Sequence, residues 1–314
     1  MEQVTIRSYV DQLPLSVLIS QPKTPKAIVQ ILHGMCEHKE RYLPFMEYLT
    51  EQGYVCIIHD HRGHGKSVLR QEDLGYFYQD GARALVEDAN QVSRYVRKRY
   101  RGLPLYLFGH SMGSLIARVY VKNYDSVVNG LILCGSPSNN RMAGVGTVLA
   151  KLVGKLRDDH NPGQWFQKMA CGKYNKDITD AKSRNQWICT DEKVVEKYDQ
   201  DPLCNFIFTI NGFENLFKLV HRVYSKYGWT VSNPGMPVWF ISGEHDPCMV
   251  GEKQLKQAAA FMEQVGYQHV SWKIYKGMRH EILNEQRHKI VFQDIAEKLE
   301  IWYDRKNLSK NNYS

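Results

Sequence analysis

The 314-residue sequence predicts an α/β protein: a mostly parallel sheet with helices on both faces and a helical insertion in its second half. Three observations carry that reading. Short apolar runs of strand length recur along the chain, mostly separated by amphipathic segments of helix length. The strand rhythm stops between Ser136 and Gly235. At residues 107–116, LFGHSMGSLI, a serine flanked by glycines lies where an apolar run gives way to a helix-like segment.

The elements follow in order. Residues 4–10 (VTIRSYV) and 15–19 (LSVLI) alternate polar and apolar around DQLP and predict an antiparallel hairpin on one sheet edge. The runs at 27–32, 55–59, 105–108, 131–134, 238–242 and 272–275 predict the parallel strands. The stretch between them that lacks strands holds Trp165, Phe166, Trp187, Phe206, Phe208, Phe213 and Phe217. The core is therefore expected at 1–135 and 236–314, with a helical lid at 136–235. The lid's apolar residues, as in NFIFTINGFENLFKLVHRVY, either line a channel or pack on the core, and helical spacing ordinarily means packing.

Composition narrows the function. The net charge of +8 has its densest basic run at 94–101, RYVRKRYR, where cations suit the end of a helix and no nucleic-acid motif accompanies them. Nucleic acid is not an expected partner. Seven scattered cysteines without a CxxC pair argue against a disulfide framework or a zinc ribbon. The opening residues lack the features of a signal peptide, and no run approaches the roughly 18 apolar residues of a membrane span. These features make a cytoplasmic location the expectation.

Gly109-His110-Ser111-Met112-Gly113 fits G-x-S-x-G, in which a strained strand-to-helix turn presents the serine hydroxyl at the end of the sheet. A hydroxyl is a poor nucleophile without a base to take its proton and an acid to orient that base. In the expected chain order the acid comes next: Asp246 follows a strand, with Glu244 and His245 as its nearest rivals. The base is then His280, just after the last strand. Developing charge on a carbonyl oxygen needs backbone N–H donors; Met112 supplies one, and Met35, in the loop HGMCEHKERY, is the natural second. The run HDHRGHGKS at 59–67 invites a metal reading through His59, His61 and His64. Its spacing does not repeat a helical face and matches no zinc signature, so a turn braced by Asp60, Arg62 and Ser67 is the better reading.

Together with His33-Gly34, Glu37-His38, Arg41-Tyr42, Asp201-Pro202-Leu203, Gly243-Glu244 and His280-Glu281, these motifs resemble the monoacylglycerol lipase and lysophospholipase group of the α/β-hydrolase family, in its bacterial, S33-like form. The resemblance spans most of the chain. It implies a serine hydrolase of single-chain lipid esters, working through an acyl-enzyme intermediate without metal or organic cofactor. It also implies a lid over the acyl chain and substrate contacts from Glu37, Arg41 and His110. HGMCEH departs from the pattern: relatives usually carry a small residue and then glycine where Met35 and Cys36 stand. An aminopeptidase, amidase or acyltransferase would use the same triad, and an inactive receptor would keep only the fold. The expected partner is a small lipid-like ester, with transient membrane contact through the lid; the oligomeric state is left open.

Overall fold

In the computed structural model, which describes residues 1–140 and 142–311 (307–311 as backbone only), eight strands form a single sheet. They are β1 (Glu2–Arg7), β2 (Pro14–Ser20), β3 (Ala27–Leu32), β4 (Tyr54–His59), β5 (Leu105–His110), β6 (Gly130–Cys134), β7 (Val238–Gly243) and β8 (Val270–Tyr275). The spatial order is β1-β2-β4-β3-β5-β6-β7-β8. The hairpin β1–β2 pairs antiparallel with Ile6 opposite Leu15, and β2 joins β4 antiparallel; every later pairing is parallel. All expected strands are present. β1 ends at Arg7, sooner than alternation suggests, because the Ser8 hydroxyl turns away to bond Asp88.

The central strands are buried along their whole length, as parallel strands covered on both faces must be. Successive residues alternate between two cores. Ile28, Val55, Leu107 and Leu133 pack with α2 (Gly81–Arg99), α3 (Met112–Tyr124) and α8 (Glu252–Gln264). Val29, Cys56, Phe108 and Ile132 pack with α1 (Leu43–Glu51) and α9 (His288–Asn311). No helix among the described residues is long and apolar enough to cross a membrane.

Between β6 and β7 the chain forms α4 (Ala143–Leu156), α5 (Gln164–Cys171), α6 (Glu192–Gln200) and α7 (Ile210–Tyr224). Helix α7 packs on α3 and α2, and α4 packs on α7, so the insertion covers the carboxyl end of β5. Thr209 caps α7 by accepting the Gly212 N–H at 3.1 Å. His38 of the core and Asp201 of the insertion are bonded at 2.9 Å, a tie across the boundary between the two.

The run at 59–67 braces the core. Asp60 accepts the Lys39 N–H at 2.8 Å, the Lys39 ammonium at 2.6 Å and the Lys66 N–H at 2.9 Å. Arg62 pairs with Asp88 and Asp11, each at 2.8 Å, and Ser67 Oγ accepts from Ser16 N at 2.9 Å. His59, His61 and His64 are buried with His33 in a ring cluster, and among the described residues their nitrogens do not converge on a point that one metal ion could occupy.

Candidate active site

Ser111 sits between β5 and α3 at φ 52° and ψ −118°, a conformation that costs a side-chain-bearing residue on the order of 1–3 kcal/mol. The turn holds because Ser111 N donates to the Cys134 carbonyl at 2.9 Å and Ser114 Oγ donates to the Ser111 carbonyl at 2.6 Å. Gly113 is required by close approach, since a Cβ there would lie 2.0 Å from the Leu32 carbonyl oxygen. The half-buried serine thus stands at the helix N-terminus with its hydroxyl turned into a cavity of about 440 Å³.

Asp246 and His280 meet behind it. His280 Nδ1 donates to Asp246 Oδ1 at 2.9 Å, and the same carboxylate accepts the Ser242 hydroxyl at 2.7 Å and the Cys248 N–H at 2.8 Å. Burial alone would raise the Asp246 pKa, but His280 and these donors hold it below the ordinary carboxylate value. Burial pulls His280 down; the Asp246 charge outweighs it and holds the imidazole well above 6.5. The rival Glu244 instead accepts the Gly277 N–H at 3.0 Å, near the exposed His245. Ser111 Oγ makes no hydrogen bond among the described residues, and His280 Nε2 has Cys248 Sγ at 4.0 Å. Unliganded hydrolase sites commonly close the serine–histidine bond only with substrate present.

The Met112 and Met35 N–H groups, at the start of α3 and in the loop after β3, find no acceptor among the described residues, so both donors are available. The departure at Cys36 has a structural cost. Its φ is 54°, in the left-handed region that favours glycine, and its thiol donates across to the Phe206 carbonyl of the insertion at 3.3 Å.

Glu37 and Arg41, expected to meet substrate, have their charges engaged with protein partners. Arg41 bonds Glu37 Oε2 at 2.8 Å and both oxygens of Glu281 at 2.7 and 2.6 Å. Glu37 Oε1 accepts the Tyr42 hydroxyl at 2.9 Å and the Gly34 N–H. A chain of ion pairs therefore runs from the loop carrying Met35 to the residue after His280. His110 is buried against the His280 ring, centroids 4.7 Å apart, and burial with that neighbour lowers its pKa to about 3.

The insertion's aromatics divide. Phe166, Phe208 and Phe213 are buried in the larger core, whereas Trp187, Phe206 and Phe217 reach the cavity with Ala143, Leu216 and Val220. Trp187 also packs on the His280 ring, centroids 4.9 Å apart. Sequence reasoning missed Ser242, Cys248 and the clamp role of Glu281. Proximity to Asp246 and His280 was the only local signal for them.

A mostly parallel sheet with a strained serine at the end of its central strand, a following Asp–His pair and a helical insertion above them define an α/β-hydrolase. Residues 23–287 match the model of the serine aminopeptidase S33 family, and the chain belongs to that family. It is 26% identical over 278 residues to a monoacylglycerol lipase of Mycolicibacterium smegmatis, covering 87% of each chain. It is also 26% identical over 287 residues to the human monoglyceride lipase, covering 90% of this chain and 84% of that protein. Among solved structures, a thermostable carboxyl esterase from Bacillus coagulans, crystallised with glycerol, superposes with a TM-score of 0.87 at 28% identity, covering 96% of this chain and 98% of the other.

Proposed function

We propose that the protein hydrolyses carboxylic esters of single-chain lipids, of the monoacylglycerol or lysophospholipid type, through an acyl-enzyme formed on Ser111. The observation that carries this reading is that Ser111 and His280 open into one cavity whose insertion-derived wall is largely apolar. His280 takes the proton as Ser111 Oγ attacks the ester carbonyl, and Asp246 stabilises the imidazolium that results. The Met35 and Met112 N–H groups bind the oxyanion. Collapse of the tetrahedral intermediate expels the alcohol, to which His280 returns the proton, and water repeats the sequence on the acyl-enzyme. Glu37, Arg41 and Glu281 act as positioning residues, fixing the Met35 loop relative to His280.

An aminopeptidase reading needs a free carboxylate to meet an α-amino group. The acids on the cavity wall, Glu37 and Glu281, are both engaged by Arg41, which favours the ester. A buried acyl chain contributes roughly 0.8 kcal/mol per methylene, so one chain in one apolar cavity suits a monoacyl ester better than a triacyl one. The test pairs fluorophosphonate labelling of Ser111 with kcat/KM for mono-, di- and triacylglycerols of matched chain length and for aminoacyl amides. Labelling with a monoacyl preference is expected; a preference for the amides removes the lipase reading.

The outer face of α4 supports a docking role for the insertion. Met142, Val145, Val148, Leu152 and Leu156 are exposed there with Lys151 and Lys155 on the same helix, and Trp165 and Met169 of α5 are exposed as well. Met142 also borders the cavity. An apolar strip flanked by lysines suits an anionic phospholipid surface, and it would admit a lipid ester directly from that surface. The seven cysteines, all free thiols, accord with a reducing compartment, and we place the protein in the cytoplasm.

A further inference from the structure

Two groupings of metal-ligating side chains occur among the described residues: His38 with Asp201 and Cys204, and His280 with Cys248 and Asp246. In the first, both ring nitrogens of His38 are already engaged, Nδ1 with Glu40 at 2.7 Å and Nε2 with Asp201 at 2.9 Å, which leaves no ring lone pair for an ion. The second is different. His280 donates its Nδ1–H to Asp246, so in the neutral ring the lone pair is on Nε2, and the group beside Nε2 is the Cys248 thiol at 4.0 Å. A histidine held by a carboxylate on one nitrogen and open on the other is the usual way proteins prepare this ligand for zinc.

The distances suit such an ion. With Zn–S near 2.3 Å and Zn–N near 2.0 Å, tetrahedral zinc sets the two donor atoms about 3.5 Å apart, so a closure of about half an ångström between Cys248 and His280 is enough. The Ser111 hydroxyl, which makes no hydrogen bond among the described residues, borders the same cavity. Three carboxylates lie around this site, Asp246 bonded to His280 and Glu37 and Glu281 bonded to Arg41, while Arg184 also borders the cavity.

We propose that His280 Nε2 and Cys248 Sγ form an inhibitory site for a thiophilic divalent cation of the zinc type, with Ser111 Oγ or solvent completing the coordination. Binding breaks the Cys248 S–H bond, forms a metal–sulfur bond and releases the proton to solvent; no oxidation state changes. The ion takes the lone pair that would accept the Ser111 proton, so ester cleavage stops. Thiolate and imidazole donors select zinc or cadmium over magnesium or calcium. The inhibitory consequence rests on His280 serving as the base, whereas binding of the ion does not.

The experiment has two arms. In the first, zinc chloride is titrated into the wild type, Cys248→Ala and Cys204→Ala, and each ester hydrolysis rate is referred to that protein's own zinc-free rate. Cys248→Ala is expected to need roughly tenfold more zinc or more for half-inhibition, given what even indirect disturbance of a ligand costs in affinity. Cys204→Ala should follow the wild type, magnesium should not inhibit, and a chelator should restore the rate. In the second arm, one equivalent of cadmium chloride is added to Ser111→Ala and to the Ser111→Ala/Cys248→Ala pair. Thiolate-to-cadmium charge-transfer absorption is expected in the first only. Equal zinc sensitivity of Cys248→Ala and the wild type, or equal cadmium absorption in both Ser111→Ala proteins, overturns the site. Because the cadmium arm needs no turnover, it stands even if the chain proves to have no esterase activity.

Discussion

Arg41 grips Glu281 with two guanidinium nitrogens, at 2.7 and 2.6 Å, across 240 residues of sequence. One of those nitrogens also reaches Glu37 at 2.8 Å, so a single side chain ties the oxyanion loop to the residue following His280. Removing one member of a buried ion-pair network strands the others, at a cost of about 3–5 kcal/mol. Arg41→Met should therefore lower stability by that amount in urea unfolding and reduce kcat more than it raises KM. Arg41→Lys should restore little, because an ammonium cannot reproduce the two-pronged grip. A stable, fully active Arg41→Met would show that the clamp positions nothing.

Ser111 gives two separable outcomes. Ser111→Ala should remove on the order of 10⁶ of turnover while the fold persists. Ser111→Gly should be equally inactive yet more stable, by about 1 kcal/mol, because glycine relieves the left-handed strain at φ 52° and gives back only part of that gain in unfolded-chain entropy. Calorimetry of the three proteins tests this. A glycine variant that melts below the alanine variant would deny that the turn stores strain.

The pH profile depends on His280. Burial lowers its pKa, but the adjacent Asp246 charge opposes and outweighs that effect, leaving the net value well above 6.5. The base must be neutral to act, so kcat/KM should fall as pH drops through that raised value, with the acid limb on the alkaline side of 6.5. Asp246→Asn removes the raising charge and leaves the burial. Its limb should move to lower pH while the rate falls on the order of 10⁴. Acid limbs that coincide in the two proteins would break the link between Asp246 and His280.

The α4 strip separates surface binding from chemistry. Val148→Glu with Leu152→Glu should weaken sedimentation with anionic phospholipid vesicles and slow hydrolysis of vesicle-borne monoacylglycerol. Cleavage of a soluble short-chain ester should change less than twofold, since exposed substitutions rarely perturb a fold by more than about 0.5 kcal/mol. An equal loss on both substrates would place the effect in the cavity.

The strands were legible in the sequence because buried parallel strands read as continuous apolar runs, a local signal. Ser111, Asp246 and His280 were chosen for a second reason, motif and chain order, and the fold brings Asp246 and His280 within a hydrogen bond. Contacts between distant segments were not. Nothing near Arg41 announces Glu281, nor does HGMCEH announce that Cys36 meets Phe206, 170 residues on. For the same reason the bonds that Arg41 makes to Glu37 and Glu281 were not foreseen: sequence identifies the charged group but not the partner that engages it. The insertion's aromatics were ambiguous because one helical spacing serves packing and cavity wall alike, and the structure uses it for both.

The thiol-to-carbonyl bond between Cys36 and Phe206 joins the roof of the cavity to the oxyanion loop. Where glycine would let this turn relax by itself, cysteine trades that freedom for a tether, so lifting the Phe206 segment pulls on the peptide that carries the Met35 N–H. Any shift of the Phe206 segment would have to break this bond or carry the Cys36 side of the loop with it, a mechanical link that glycine at this turn could not make.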